Sequence, residues 1–303
     1  MKKLLSMICI AALLSCSLLL AGCGGEAVYS DVKDATENYI KSTLTEPGYG
    51  DEWKIIGLAR AEADVDGGFY DTYYTDVETA VTAAKGELSD RKYTEYSRVI
   101  LALTAIGRDP ADVGGYNLLE KLADFESVKV QGINGPIWAL IALDSGGYDV
   151  PVVKDVKTQT TRELLLEYIV SQEVPGGGFG LMEDTADCDL TAMAVQALAP
   201  YASGDEKVGA VVDRALAYLE TCEKTSAESL CQTIVARSTM GMDAESDVTE
   251  LLSYSCEEGG FCHELPGEGQ TAEPDGIATE QGYYALVAYD RYLNGQSSLY
   301  DMK

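Results

Sequence analysis

The chain of 303 residues is 46% hydrophobic, 24% charged and 8% aromatic, the composition of a folded protein with one large domain or two small ones. Its 50 Asp and Glu outweigh 22 Lys and Arg, a formal charge of −28 that repels phosphate backbones and anionic head groups and so excludes nucleic-acid binding. With a single histidine, His263, no multi-His metal site can be built, and a Ser-His-Asp or Cys-His engine would have to use that residue.

Lys2 and Lys3 precede an apolar run from Leu4 to Leu20, followed by Leu20-Ala21-Gly22-Cys23. A charged start, a short apolar core and small residues before the cut describe a secretory signal peptide over 1–22. The Leu-Ala-Gly-Cys ending resembles the lipobox of bacterial lipoproteins, which implies that Cys23 is lipidated and becomes the mature N-terminus. Each buried acyl methylene adds ~0.8 kcal/mol, so several chains on one residue hold firmly to a membrane. Residues 23–30 then read as the lipidated Cys23 and a short tether, and 31–303 as one domain. No second apolar stretch approaches ~18 residues, so the expected location is extracytoplasmic, anchored to the cell membrane by lipid.

Of eight Cys, Cys9 and Cys16 leave with the signal and Cys23 is acylated, which leaves Cys188, Cys222, Cys231, Cys256 and Cys262. An odd number requires at least one unpaired thiol, no C-x-x-C pair suggests zinc, and the pairing stays open. Cys222 and Cys231 sit on helix-like segments, where they read as small buried apolar residues.

The body repeats, and two kinds of helix alternate along it. Amphipathic segments lie at about 31–44, 75–86, 114–125, 159–172, 207–222 and 245–255. Between them come Ala-rich phrases that are apolar nearly all round, the mark of helices buried on both sides. These are Glu52–Arg60, a weaker first copy, then Glu95–Gly107, Asn134–Leu143, Asp189–Leu198, Glu228–Arg237 and Glu280–Tyr289. Strand signals are nearly absent. Six pairs at spacings of ~40–55 residues predict an all-α fold, an (α/α)6 toroid with the apolar helices inside and the amphipathic ones facing water.

The phrases Gln172-Glu-Val-Pro-Gly-Gly-Gly-Phe-Gly180 and Glu257-Glu-Gly-Gly-Phe261 resemble the Gly-Gly-Phe turns of the prenyltransferase and squalene-cyclase repeat. The chain thereby resembles the terpenoid cyclase/protein prenyltransferase toroid superfamily over about residues 30–303. Thr94-Glu-Tyr-Ser-Arg98, Gly132-Ile-Asn-Gly-Pro136 and Thr279-Glu-Gln-Gly-Tyr-Tyr284 further resemble secreted bacterial surface proteins that carry this repeat. The resemblance implies the fold; the function has to be read from the residues.

Triterpene cyclases protonate their substrate with the middle Asp of D-x-D-D-T-A, where this chain has Asp187-Cys188-Asp189-Leu190-Thr191-Ala192. Asp189 is therefore a weak catalytic candidate. Leu190 replaces the supporting acid, and those enzymes generally use two helical domains where this chain has room for one. The alternative is that Asp187 or Asp189 caps an inner helix. Prenyltransferases hold zinc with Asp, Cys and His; here Glu280 stands where their His starts an inner helix, so the ligand set does not map, and Cys262 and His263 read as a surface loop. Thioester domains need Cys-Gly-Glu-Gln, and Ala278-Thr279-Glu280-Gln281 lacks the Cys. Cobalamin carriers pair such a toroid with a small β-domain not found here, though a corrinoid could still bind at the mouth. Asp64-Val-Asp66-Gly67-Gly68 and the acids Glu183, Asp184, Asp187 and Asp189 suggest calcium, but six to eight oxygens and a complete loop are wanting, so no metal and no resident cofactor are expected.

In this topology the inner helices start at one end, so Glu95, Asn134, Asp189, Glu228 and Glu280, with Asp187 beside them, should surround one mouth. Tyr93, Tyr96, Trp138, Tyr283 and Tyr284 should lie near it. A concave mouth with aromatic walls and a few polar groups is the default ligand site; the competing reading is that the acids are caps and the aromatics fill the hub. The expected function is binding of a small amphipathic or hydrophobic ligand, or of a surface protein partner, with no catalysis. A terpenoid-cyclase-like or prenyltransferase-like enzyme and a corrinoid-binding component are the alternatives.

Overall fold

The apolar periodicity is realised as helices throughout the computed structural model, which describes residues 28–303 apart from 183 and 268. Helix α1 covers 28–43, so residues 28–30, read from sequence as tether, are already helical. There follow α2 (Glu52–Arg60), α3 (Phe69–Ala83), α4 (Thr94–Ala105), a single turn α5 (Phe125–Val128), α6 (Asn134–Ser145) and α7 (Arg162–Ser171). The chain continues with α8 (Cys188–Leu198), α9 (Glu206–Leu219), α10 (Ala227–Thr239), α11 (Glu245–Leu251) and α12 (Gly276–Leu293). Side-chain caps start several of them: Thr161, Asp187, Asp205, Ser226 and Asp275 each accept a backbone N–H of the first turn.

The even-numbered helices form the interior. In α6 every residue from Gly135 to Leu143 is buried, and α10 is buried from Ala227 to Ala236. Helix α9 instead buries one stripe, Val208, Val211, Val212, Ala215 and Leu219, against the inside. Helix α2 packs on α4, α4 on α6, α6 on α8, α8 on α10, α10 on α12, and α12 again on α2. The odd-numbered α7, α9 and α11 pack on α6, α8 and α10 respectively.

Two departures from expectation have local causes. No long helix forms over 114–125: Gly114 and Gly115 hold φ of 60° and 84°, and a 3-10 turn, Leu118–Leu122, is cut off from α5 by Asp124, which caps the new turn. A small antiparallel hairpin, β1 (Phe179–Met182) with β2 (Thr185–Asp187), leads into α8 and pairs Phe179 with Asp187.

The two Gly-Gly-Phe turns are built alike. The Phe179 N–H donates to Thr191 Oγ1 (2.9 Å) and the Phe261 N–H to Thr279 Oγ1 (3.0 Å), and each threonine donates back to the same Phe carbonyl. Val174 N–H to Gly178 O has its counterpart in Cys256 N–H to Gly260 O, both at 3.0 Å. Gly178 and Gly260 hold φ of 88° and 82°, and a Cβ on either would press on the threonine that anchors the turn.

At the C-terminal end of the inner helices the segment after α12 folds back over the hub. Leu299 and Tyr300 are buried there, and the Tyr300 ring meets Trp138 edge-on at 5.9 Å. Arg60 and Arg291, from the last turns of α2 and α12, donate to Ser298 O and Ser297 O, and Met302 N–H donates to Ser145 O. Cys188, at the start of α8, forms a disulfide with Cys222, one of the pairings that sequence left open; Cys231, Cys256 and Cys262 are buried thiols. Among the described residues no helix is long and apolar enough to cross a membrane. The signal peptide, the lipidation candidate Cys23 and Glu183 of the acid cluster lie outside the described residues.

Candidate functional site

The starts of α2, α4, α6 and α8 bring Trp53, Glu95, Arg98, Asn134, Trp138 and Met193 around a cavity of about 250 Å³, with Thr94 and Gln131 at its edge. The indoles of Trp53 and Trp138 stand 4.9 Å apart between centroids, and the Tyr284 ring lies 5.9 Å from Trp53. The sequence-derived candidates Glu95, Asn134 and Trp138 therefore meet, and Tyr284 backs the aromatic wall. Its hydroxyl accepts from Gln232 Nε2 at 2.7 Å, and the same nitrogen donates to Gln281 Oε1 at 2.8 Å.

A fully buried carboxylate underlies this wall. Glu52 accepts from Gly50 N–H at 2.9 Å and faces Arg98 Nε at 2.8 Å, a close ion pair rather than an aligned hydrogen bond. Burial drives its carboxyl above the usual range against the pull of Arg98. Arg98 also donates from Nη2 to Glu95 Oε2 at 2.6 Å, and Tyr49 Oη donates to that same oxygen at 3.2 Å. The one guanidinium lining the cavity is thus spent on two carboxylates. Lys54 is likewise paired, to Asp51 at 2.9 Å.

Glu280 sits one helical turn before Tyr284 and has no hydrogen bond or ion pair among the described residues. Burial, only partly offset by the charges of Lys54 and Arg98, pushes its carboxyl up to about 7. Farther around, Asp189 is raised by burial, with a Ser229 hydrogen bond opposing and Asp187 and Glu228 adding to the rise. Its Oδ1 is buried without a hydrogen-bond partner. Glu228 accepts from or donates to His263 Nδ1 at 2.8 Å, according to tautomer, and that contact raises the imidazole above its ordinary value.

The remaining candidates fall elsewhere. Asp187 is the α8 cap, accepting from Leu190 N–H at 2.9 Å. Tyr96 is fully buried outside the cavity lining, donating to Ser89 O at 2.8 Å, and Tyr283 spans to α1, donating to Glu37 Oε2 at 2.8 Å. Cys262, read as part of a surface loop, is buried, while its neighbour His263 is exposed and reaches the mouth. Glu52, Trp53, Arg98 and Gln232 were missed. Extending the one-end rule to the weaker first copy places Glu52 and Trp53 there, and the i, i+3 spacing of Glu95 and Arg98 is the signal for the pair. Among the described residues no three His, Cys, Asp or Glu are grouped to hold a metal; Asp64 lies on a turn where its carbonyl accepts from Lys41 at 3.2 Å.

No family model, no curated protein and no solved structure matches the chain.

Proposed function

We propose that this is an (α/α)6 toroid, held outside the cell membrane through lipidated Cys23, whose mouth binds a small amphipathic molecule by a cationic head group. The toroid reading is supported by the alternation of all-round and one-face helices and by a contact order that returns from α12 to α2. The observation that carries the binding reading is the cavity of about 250 Å³ walled by Trp53 and Trp138, with the sole lining cation neutralised and Glu280 unpaired beside it. Indole faces attract cations, and the −28 charge of the chain steers them in while opposing anions. The volume suits a head group with its tail left outside, and is too small to enclose a corrinoid.

Asp189 is half-buried with its carboxyl raised, as a proton donor's would be, but Trp53, Trp138, Tyr284 and Tyr300 fill the hub that a cyclising substrate would need. Binding without turnover is therefore the reading. Native mass spectrometry of residues 24–303, expressed without the lipid and purified gently from cells of the source type, should show a retained small mass; a bare polypeptide mass contradicts a resident small ligand. For the anchor, a Cys23→Ala protein should leave the membrane fraction, and one that still sediments with membranes contradicts lipidation.

A further inference from the structure

The two Gly-Gly-Phe turns share their hydrogen bonds, so their residues can be compared position by position. Aligning Gly177-Gly178-Phe179 with Gly259-Gly260-Phe261 puts Cys256 opposite Val174 and Cys262 opposite Gly180. The second turn therefore carries cysteine at two positions where the first carries none, and both side chains are buried.

Ser255 and Phe261 form an antiparallel bridge, and the flanking bonds Cys256 N–H to Gly260 O and Cys262 N–H to Tyr254 O are both 3.0 Å. In that register residues 256 and 262 lie on the same face of the turn as diagonal neighbours, side chains that come within reach of one another across a twisted pair. Both thiols are directed at one acceptor: Cys262 Sγ is 3.3 Å and Cys256 Sγ 3.9 Å from Tyr254 O. That carbonyl already accepts the Cys262 N–H, so two weak S–H donors converge on an oxygen that is largely satisfied.

We infer that Cys256 and Cys262 are a disulfide-forming pair that closes the second Gly-Gly-Phe turn, leaving Cys231 as the one free thiol of the domain. The electrons go to a small disulfide, RSSR. The thiolate of one cysteine attacks a sulfur of RSSR and expels RS⁻. The thiolate of the other then attacks the mixed disulfide and expels the second RS⁻, and the two cysteine protons end on the two released thiols. Burial pushes the Cys256 thiol up to about 11 and raises Cys262 as well, so the exchange belongs to the stage of folding when the turn is still open. Once closed, the bond fixes the backbone immediately before His263, whose ring reaches Glu228 at 2.8 Å.

The test is a thiol count on the chain refolded from the reduced, denatured state in a buffer of oxidised and reduced glutathione, then unfolded in guanidinium with an alkylating agent and no reductant. One alkyl group on the domain, at Cys231, is expected, with the peptide holding Cys256 and Cys262 two hydrogens light and alkylated only after reduction. A Cys231→Ser chain should take up none, and Cys256→Ser should expose Cys262. Alkylation of both Cys256 and Cys262 in the unreduced chain, or glutathione left on either, overturns the pairing. The count is independent of any ligand at the mouth, so it stands or falls apart from the proposed function.

Discussion

At their N-terminal ends the inner helices carry the acids Glu52, Glu95, Asp189, Glu228 and Glu280, of which Glu95 lines the cavity and Glu52 lies fully buried beneath it. At their C-terminal ends the same helices are covered by Leu299 and Tyr300 and tied down by Arg60 and Arg291. The division follows helix electrostatics: acids suit the positive N-terminal ends and arginines the negative C-terminal ends. The C-terminal end is covered by the chain's own last segment, with hydrogen bonds to backbone carbonyls and an edge-on Tyr300–Trp138 contact, and a cavity of about 310 Å³ lies between that segment and Ile141, Asp144 and Gln196. The other keeps a carboxylate, Glu280, that burial raises and no partner neutralises, an arrangement that costs stability at neutral pH and above. The two tryptophans and the acids gather at the N-terminal end, where the head-group site is proposed.

The comparison can be broken first at the mouth. Arg98→Met leaves the buried Glu52 without its counter-charge and should lower unfolding stability by about 3–5 kcal/mol in urea titrations. A loss below about 1 kcal/mol would mean that Glu52 is protonated and the pair is not ionic. At the covered end, Tyr300→Ala removes the ring against Trp138 and should cost about 3–4 kcal/mol by the same measurement. A neutral result there would show that the C-terminal segment covers the hub without supporting it. Between these two, replacing both Cys188 and Cys222 with Ala should cost about 4 kcal/mol, the loop-closure value for the 34-residue separation they span.

Glu280→Gln should act in the opposite direction. A carboxyl held near 7 in the folded chain and near 4.5 unfolded binds its proton more tightly when folded, so its contribution is intact below about pH 4.5 and is lost as pH rises through 7. The variant should therefore be more stable than the parent at pH 8, by about 1–3 kcal/mol, with the difference vanishing near pH 4.5. Equal stabilities at pH 8 would show that Glu280 is not desolvated.

The helices were legible because each obeyed one period: α6 and α10 are apolar all round, and α9 carries a single stripe. Where glycine broke the period, at Gly114 and Gly115, the expected helix became a 3-10 turn and a single α-turn. The mouth was legible only in outline, since helix starts fix which residues share an end but not where each side chain points. Tyr96 and Tyr283 sit within one turn of mouth residues yet bond to Ser89, in the loop before α4, and to Glu37 in α1. His263 was hidden for the opposite reason. It lies in a loop whose path depends on the buried Cys262 and Phe261, and only that path carries it to Glu228.

Trp53 and Trp138 are the only tryptophans in the chain and both line the cavity, so selectively excited tryptophan fluorescence reports on the mouth. The most direct measurement is a tryptophan-fluorescence titration of residues 24–303 with hexyltrimethylammonium, hexyl sulfate and 1-hexanol, which share a tail and differ in head charge. Saturable change with the cation and little with the other two is the expected result. Saturation by hexyl sulfate or hexanol at equal or lower concentration would contradict the cationic head group, and no saturable change with any of the three would contradict the mouth as a binding site.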